Sequence, residues 1–163
     1  MTDAAVLLGK LSDRSAWRAD RCPIGKALDV VGTRSAMLIM REAYYGTTRF
    51  DDFFARVDIT EAVAAARLRE LTDAGLLERS PYRSPGQRTR YEYVLTEKGR
   101  DLLPVVLGLF EWGAKHVSPG GRPPVQLRHT ECDAPVNVQV RCGEGHQVPL
   151  SELAVSPTPR RHR

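Results

Sequence analysis

The chain has 163 residues, 42% of them apolar, and a net charge of +4. That length suits one full domain with a small appendage, and without a run of about 18 apolar residues it offers no transmembrane helix. The N-terminus carries Asp3 and lacks a basic stretch ahead of its apolar residues, so it reads as the start of a cytoplasmic protein rather than a signal peptide.

The predicted elements follow in chain order. Thr2 to Leu11 reads as a short helix and Arg14 to Arg21 as an irregular polar stretch. Cys22-Pro23 opens a helix, because proline suits a first helical turn, and Ile24, Leu28 and Val31 recur at helical spacing up to Gly32. A third helix runs from Arg34 to Tyr45, with Met37, Leu38, Arg41 and Tyr44 at threes and fours, and Gly46 stops it. Thr48 to Phe50 is a short extended piece, and Asp51 to Arg56 a small helix. Asp58 to Thr60 makes a turn whose last residue is an N-cap candidate. Residues 61–74 form a helix with Ala64, Leu68 and Leu71 on its buried face, closed by Gly75. Two β-prone runs, Leu76 to Tyr82 and Arg90 to Leu95, flank a connector with Pro-Gly turn chemistry. Thr96 caps a long helix to His116, which Pro104 must kink by removing a backbone donor. Val125 to Leu127 and Val136 to Val140 read as the strands of a small hairpin.

This order predicts a mainly α fold with a small β-wing (α+β): a winged helix-turn-helix plus a small C-terminal β-hairpin extension. The expected division is a DNA-binding and dimerisation domain at 1–117, a linker at 118–124, a β-rich extension at 125–155 and a disordered basic tail at 156–163. In such a fold the helix at 51–56 supports the helix at 61–74, which can enter a major groove, and the hairpin projects a loop toward the flanking backbone. From Arg79 to Arg90 the chain carries arginines at 79, 83, 88 and 90 and no acid, which suits phosphate or minor-groove contact.

The segments CPIGKALDVVG, LIMREAYYGTTRFDDF, RLRELTDAGLLER and PYRSPGQRTRYEYVLTEKGRDLLPVVLGLFEWG stand in this order between Cys22 and about His116. Together they resemble HxlR-type regulators, a branch close to MarR-type proteins. The resemblance implies a transcription regulator that binds duplex DNA as a homodimer, without catalytic activity. It also implies that the N-terminal helix and the helix 96–116 make the dimer interface, to which Leu102, Val105, Val106, Leu109, Phe110 and Trp112 lend an apolar surface. The candidate DNA contacts are Arg34, Arg49, Thr60, Glu61, Ala62, Ala65, Arg67, Arg69, Arg83, Arg88 and Arg90.

Two departures from the family matter. The recognition-helix face reads Glu61, Ala62, Ala65 and Ala66, and alanine can touch only thymine methyls, so affinity rests on arginine–phosphate contacts and specificity on DNA shape. The family's tryptophan before the third helix is replaced by Ser35, which leaves volume for a pocket or for a neighbouring side chain.

Cys22 stands at a helix start, where the dipole favours a thiolate, near Arg21 and Lys26. The resemblance implies oxidant or electrophile sensing at this position; an inert, partly buried thiol is the alternative. His129-x-x-Cys132 and Cys142-x-x-x-His146 partially match a zinc ribbon, and the alternative is a hairpin without metal. No HExxH, Gly-rich phosphate loop or serine–histidine–acid arrangement is visible. The leading expectation is a repressor on a palindromic operator, responsive to a small molecule or an oxidant, with no membrane partner. A winged-helix protein-interaction module is the other reading.

Overall fold

The computed structural model describes residues 4–16, 22–83 and 89–158. Contacts gather the chain into two compact units, Pro23–Asn137 and a smaller one that joins residues 1–22 to 138–163. These boundaries differ from a division at residues 117 and 124.

In the larger unit, α1 spans Pro23–Val31 and α2 Arg34–Tyr44. Thr33 caps α2 by accepting from the Ala36 N–H at 3.2 Å. The helix α3, Phe50–Val57, ends at Asp58 in the left-handed conformation, φ 57°. Two residues later the Thr60 hydroxyl oxygen accepts from the Val63 N–H at 3.3 Å and starts α4, Glu61–Asp73. That cap replaces a missing helical partner for one first-turn donor. The turn between α3 and α4 is therefore fixed at both ends.

The core is what the spacing of apolar residues requires. Ile39 and Met40 of α2, Phe53 of α3, and Leu68 and Leu71 of α4 are fully buried together with Leu77. Ala64, Leu68 and Leu71, the expected inner face of α4, are all buried. Truncating Phe53 to alanine at such a site costs about 3–5 kcal/mol.

Gly75, at φ +73°, turns the chain out of α4 into β2, Leu77–Tyr82. β2 pairs antiparallel with β3, Arg90–Leu95, with Leu77 opposite Leu95 and Tyr82 opposite Arg90. The short piece before α3 adds an edge to this wing: Arg49 bridges Glu92, and the Tyr93 N–H donates to the Thr48 carbonyl at 2.8 Å.

The long helix expected from Thr96 to His116 is two helices, α5 at Glu97–Asp101 and α6 at Leu103–His116. Pro104 lies in the first turn of α6, where its missing N–H costs nothing, so the chain breaks at Leu102 rather than bending within one helix. Thr96 does cap, accepting from the Gly99 N–H at 3.0 Å while donating to the Gly75 carbonyl at 2.7 Å. Gly99 is required here: a Cβ at this position would lie 2.1 Å from the Leu76 carbonyl oxygen.

Two further expectations need correction. The N-terminal segment is not a helix: β1, Val6–Leu7, pairs in parallel with β4, Ala154–Val155, inside the smaller unit. Its donors go to that partner, Val6 N–H to Leu153 O at 2.8 Å and Leu8 N–H to Val155 O at 2.9 Å, and Gly9 at φ +60° interrupts any helix. The stretches 125–127 and 136–140 likewise form no strands. Val136 pairs back, donating to the Leu127 carbonyl, whereas the Val140 carbonyl accepts from Val148. The chain thus makes two successive tight turns, with bridges Arg128–Pro135 and Arg141–Gln147, in place of one hairpin. The expected basic tail, beyond residue 158, lies outside the described residues.

Candidate nucleic-acid interface

The α3–turn–α4 pair and the wing set the candidate surface. Glu61, Ala62, Ala65 and Arg69 of α4 are exposed, as is the capping Thr60. Arg67 is half-buried and bonded to Glu70 one turn along the same helix, so part of its charge is already matched. Arg69 is the exposed cation of this helix.

The wing carries a second set. The Arg49 guanidinium lies 4.2 Å from the centre of the Tyr82 ring, and Arg79 lies 4.1 Å from that of Tyr91. Arg90, directly opposite Tyr82 in the ladder, joins Arg49 and Arg79 around one cleft that also takes in Asp51 and Asp52. Stacking on a ring restrains a long side chain while leaving its N–H donors free to reach phosphate. The aromatic partners were missed in the sequence, although the alternation of RYEYVL and the pairing of Tyr82 with Arg90 carry that signal. Arg83 is exposed just past β2. Arg88, and most of the connector around it, lies outside the described residues.

Arg34, in the first turn of α2, lines a cavity between α2 and α6. Ser35 places its hydroxyl 3.4 Å from that of Thr33. Tyr44 donates to the Gly99 carbonyl at 2.6 Å, tying α2 to α5, and burial pushes its pKa up to about 12.

Cys22 is half-buried immediately before α1, with a free thiol, and Cys132 and Cys142 are free and exposed. His129 and Cys132 share one tight turn, their Nδ1 and Sγ atoms 3.2 Å apart. Cys142 and His146 share the next, where the Cys142 N–H donates to the His146 carbonyl at 3.0 Å. The two pairs belong to different units, and among the described residues no three His, Cys, Asp or Glu side chains gather as a metal site.

A helix-turn-helix flanked by a two-stranded wing defines a winged-helix regulator of the helix-turn-helix type. The comparisons give the family. The profile of the HxlR-like helix-turn-helix family matches residues 30–120, and the chain belongs to that family. It is 35% identical over 137 residues to Mb3122 of Mycobacterium bovis, named as an uncharacterised HTH-type transcriptional regulator, covering 83% of this chain and 85% of that protein. Among solved structures it is similar to PA1607, described as a candidate transcription factor, with a TM-score of 0.76 at 34% identity over 86% of this chain and 97% of that one. It is also similar to the reduced form of the redox regulator HypR, with a TM-score of 0.51 at 34% identity over 56% of this chain and 90% of that one.

Proposed function

We propose that the protein is a homodimeric transcriptional repressor that binds a two-fold operator in the cytoplasm. The observation that carries this is the exposed α4 face beside a wing whose arginines are held on tyrosine rings. Phosphate neutralisation supplies the affinity, and with Ala62 and Ala65 on the groove-facing helix, DNA shape supplies much of the specificity.

Exposed apolar faces support the dimer. On α6, Val105, Leu109 and Trp112 are 51%, 54% and 60% exposed at spacings of four and three residues. On α1, Ile24 and Leu28 are 70% and 58% exposed. Large side chains in such rows are covered by a second copy in a two-fold regulator. The segment before residue 16, by contrast, is paired within its own chain through β1.

Likeness to HypR, a redox regulator by name, and the free thiol at the start of α1 support an oxidant-responsive role for Cys22.

A mobility-shift titration on the DNA upstream of the protein's own gene, run as a salt series, tests the DNA reading. The expected result is a linear fall of log affinity with log salt concentration. Failure to retard any duplex at low salt would leave the protein-interaction reading in its place.

A further inference from the structure

The recognition helix and the wing differ in charge. α4 carries three acids, Glu61, Glu70 and Asp73, against two cations, Arg67 and Arg69, a net of −1. The wing cleft sets three cations, Arg49, Arg79 and Arg90, against two acids, Asp51 and Asp52, and none of its arginines is ion-paired among the described residues. Backbone phosphates are therefore drawn to the wing, and α4 is better matched to the uncharged edges of bases. At about 100° per residue, Ala62, Ala66, Arg69 and Asp73 stand within about 50° of the line opposite the buried Ala64, Leu68 and Leu71. They form the outward row of α4. Alanine side chains offer no hydrogen bond, and Asp73 is the last residue of the helix. Arg67 lies to the side of this row, half-buried and bonded to Glu70. Arg69 is exposed and has neither an ion pair nor a side-chain hydrogen bond among the described residues.

We propose that Arg69 is the specificity-determining residue of α4 and reads one guanine in each half-site. Its planar fork can donate to the O6 and N7 acceptors of guanine together, a pairing that adenine, with a donor in place of O6, cannot match. A phosphate is the other acceptor open to an arginine on this face, and the charge around Arg69 selects against it. Glu70 is the next residue in the chain, and Asp73 follows one turn later on the same row, so both repel a phosphate that approaches Arg69. Guanine brings acceptors without net charge and avoids that repulsion. The alanines of the same face let the helix approach the bases closely and can touch thymine methyls. The inference rests on the DNA-binding reading and adds to it a base that the helix recognises; DNA shape still governs the positions that face alanine.

Arg69→Ala tests this, because alanine suits a helix and the side chain removed is exposed. Wild-type protein first selects an operator from random duplexes. Anisotropy titrations then compare wild type and variant on a panel in which each base pair of one half-site is changed in turn. The expected result is one guanine whose replacement by adenine weakens wild type by about 5- to 150-fold and which Arg69→Ala no longer distinguishes. On a scrambled duplex the variant should match wild type in affinity and in salt slope, which also shows that it is folded. An equal loss on every duplex, with a salt slope lower by about 1.8 per dimer, would assign Arg69 to phosphate and overturn the proposal. An unchanged guanine preference in the variant, or a wild-type operator without one, overturns it as well. Wild type that binds no duplex overturns the DNA-binding reading itself, and this proposal with it.

Discussion

Replacing Arg49 by alanine separates the charge held at the wing from the fold that holds it. Arg49 is exposed, and its guanidinium lies 4.2 Å from the Tyr82 ring centre. Losing that stack costs about 0.5–1 kcal/mol of folding stability, a small share of a domain's total. Its contribution to binding is larger and depends on salt. Each neutralised duplex phosphate adds about 0.9 to the slope of log affinity against log salt. A dimer loses two such contacts, so the slope should fall by about 1.8. Raising salt from about 50 to about 200 mM should then narrow the gap between wild type and variant by about 12-fold. Fluorescence-anisotropy titrations at four salt concentrations, on both a preferred and a scrambled duplex, read this directly. The loss should be the same on both sequences, and Arg90→Ala should behave alike because Arg90 lies opposite the same tyrosine. An unchanged salt slope with altered base preference would refute the phosphate assignment.

The other predictions concern assembly, titration and metal. Leu109→Asp places a charge in the proposed dimer face twice per dimer and should yield monomers that bind DNA weakly; an unchanged dimer by light scattering would contradict it. The Tyr44 hydroxyl has a folded pKa of about 12, raised from 10.0 by burial. Its stabilising contribution should be complete below pH 10 and vanish as pH rises toward 12, so the alkaline fall in melting temperature should be shallower in Tyr44→Phe. The mutation itself removes a 2.6 Å bond to Gly99 and should cost about 1 kcal/mol at neutral pH. If His129, Cys132, Cys142 and His146 together hold zinc, protein purified without chelator should contain about one equivalent, and less than about 0.2 per chain would favour metal-free turns.

The elements legible in the sequence are those whose signals are local. The inner face of α4 follows from the spacing of Ala64, Leu68 and Leu71, and its start from Thr60. β3 was read to its residues because RYEYVL alternates beside a Pro-Gly turn. What escaped depends on distant partners. Val6 and Leu7 are strand because residues 154 and 155 come to lie beside them, a pairing that two-residue strands cannot announce. Val136, Val138 and Val140 alternate like a strand face but are all exposed, and their backbone is divided between two turns. At the site, the arginines were visible as charge, whereas the tyrosine rings that hold two of them emerge only when the wing is folded. The cavity was equally hidden, since its walls come from α2, α6 and the turn at 127–136. The Ser35 hydroxyl lies 3.4 Å from that of Thr33, which lines this cavity.

Selection of bound duplexes from a randomised pool asks directly whether this protein reads DNA as a two-fold winged-helix dimer. A two-fold dimer should enrich an inverted repeat with half-sites about one helical turn, or 10 base pairs, apart, and tolerate changes at positions facing Ala62 and Ala65. Recovery of an unenriched pool, or of a single unrepeated half-site by a protein that stays monomeric, would contradict it.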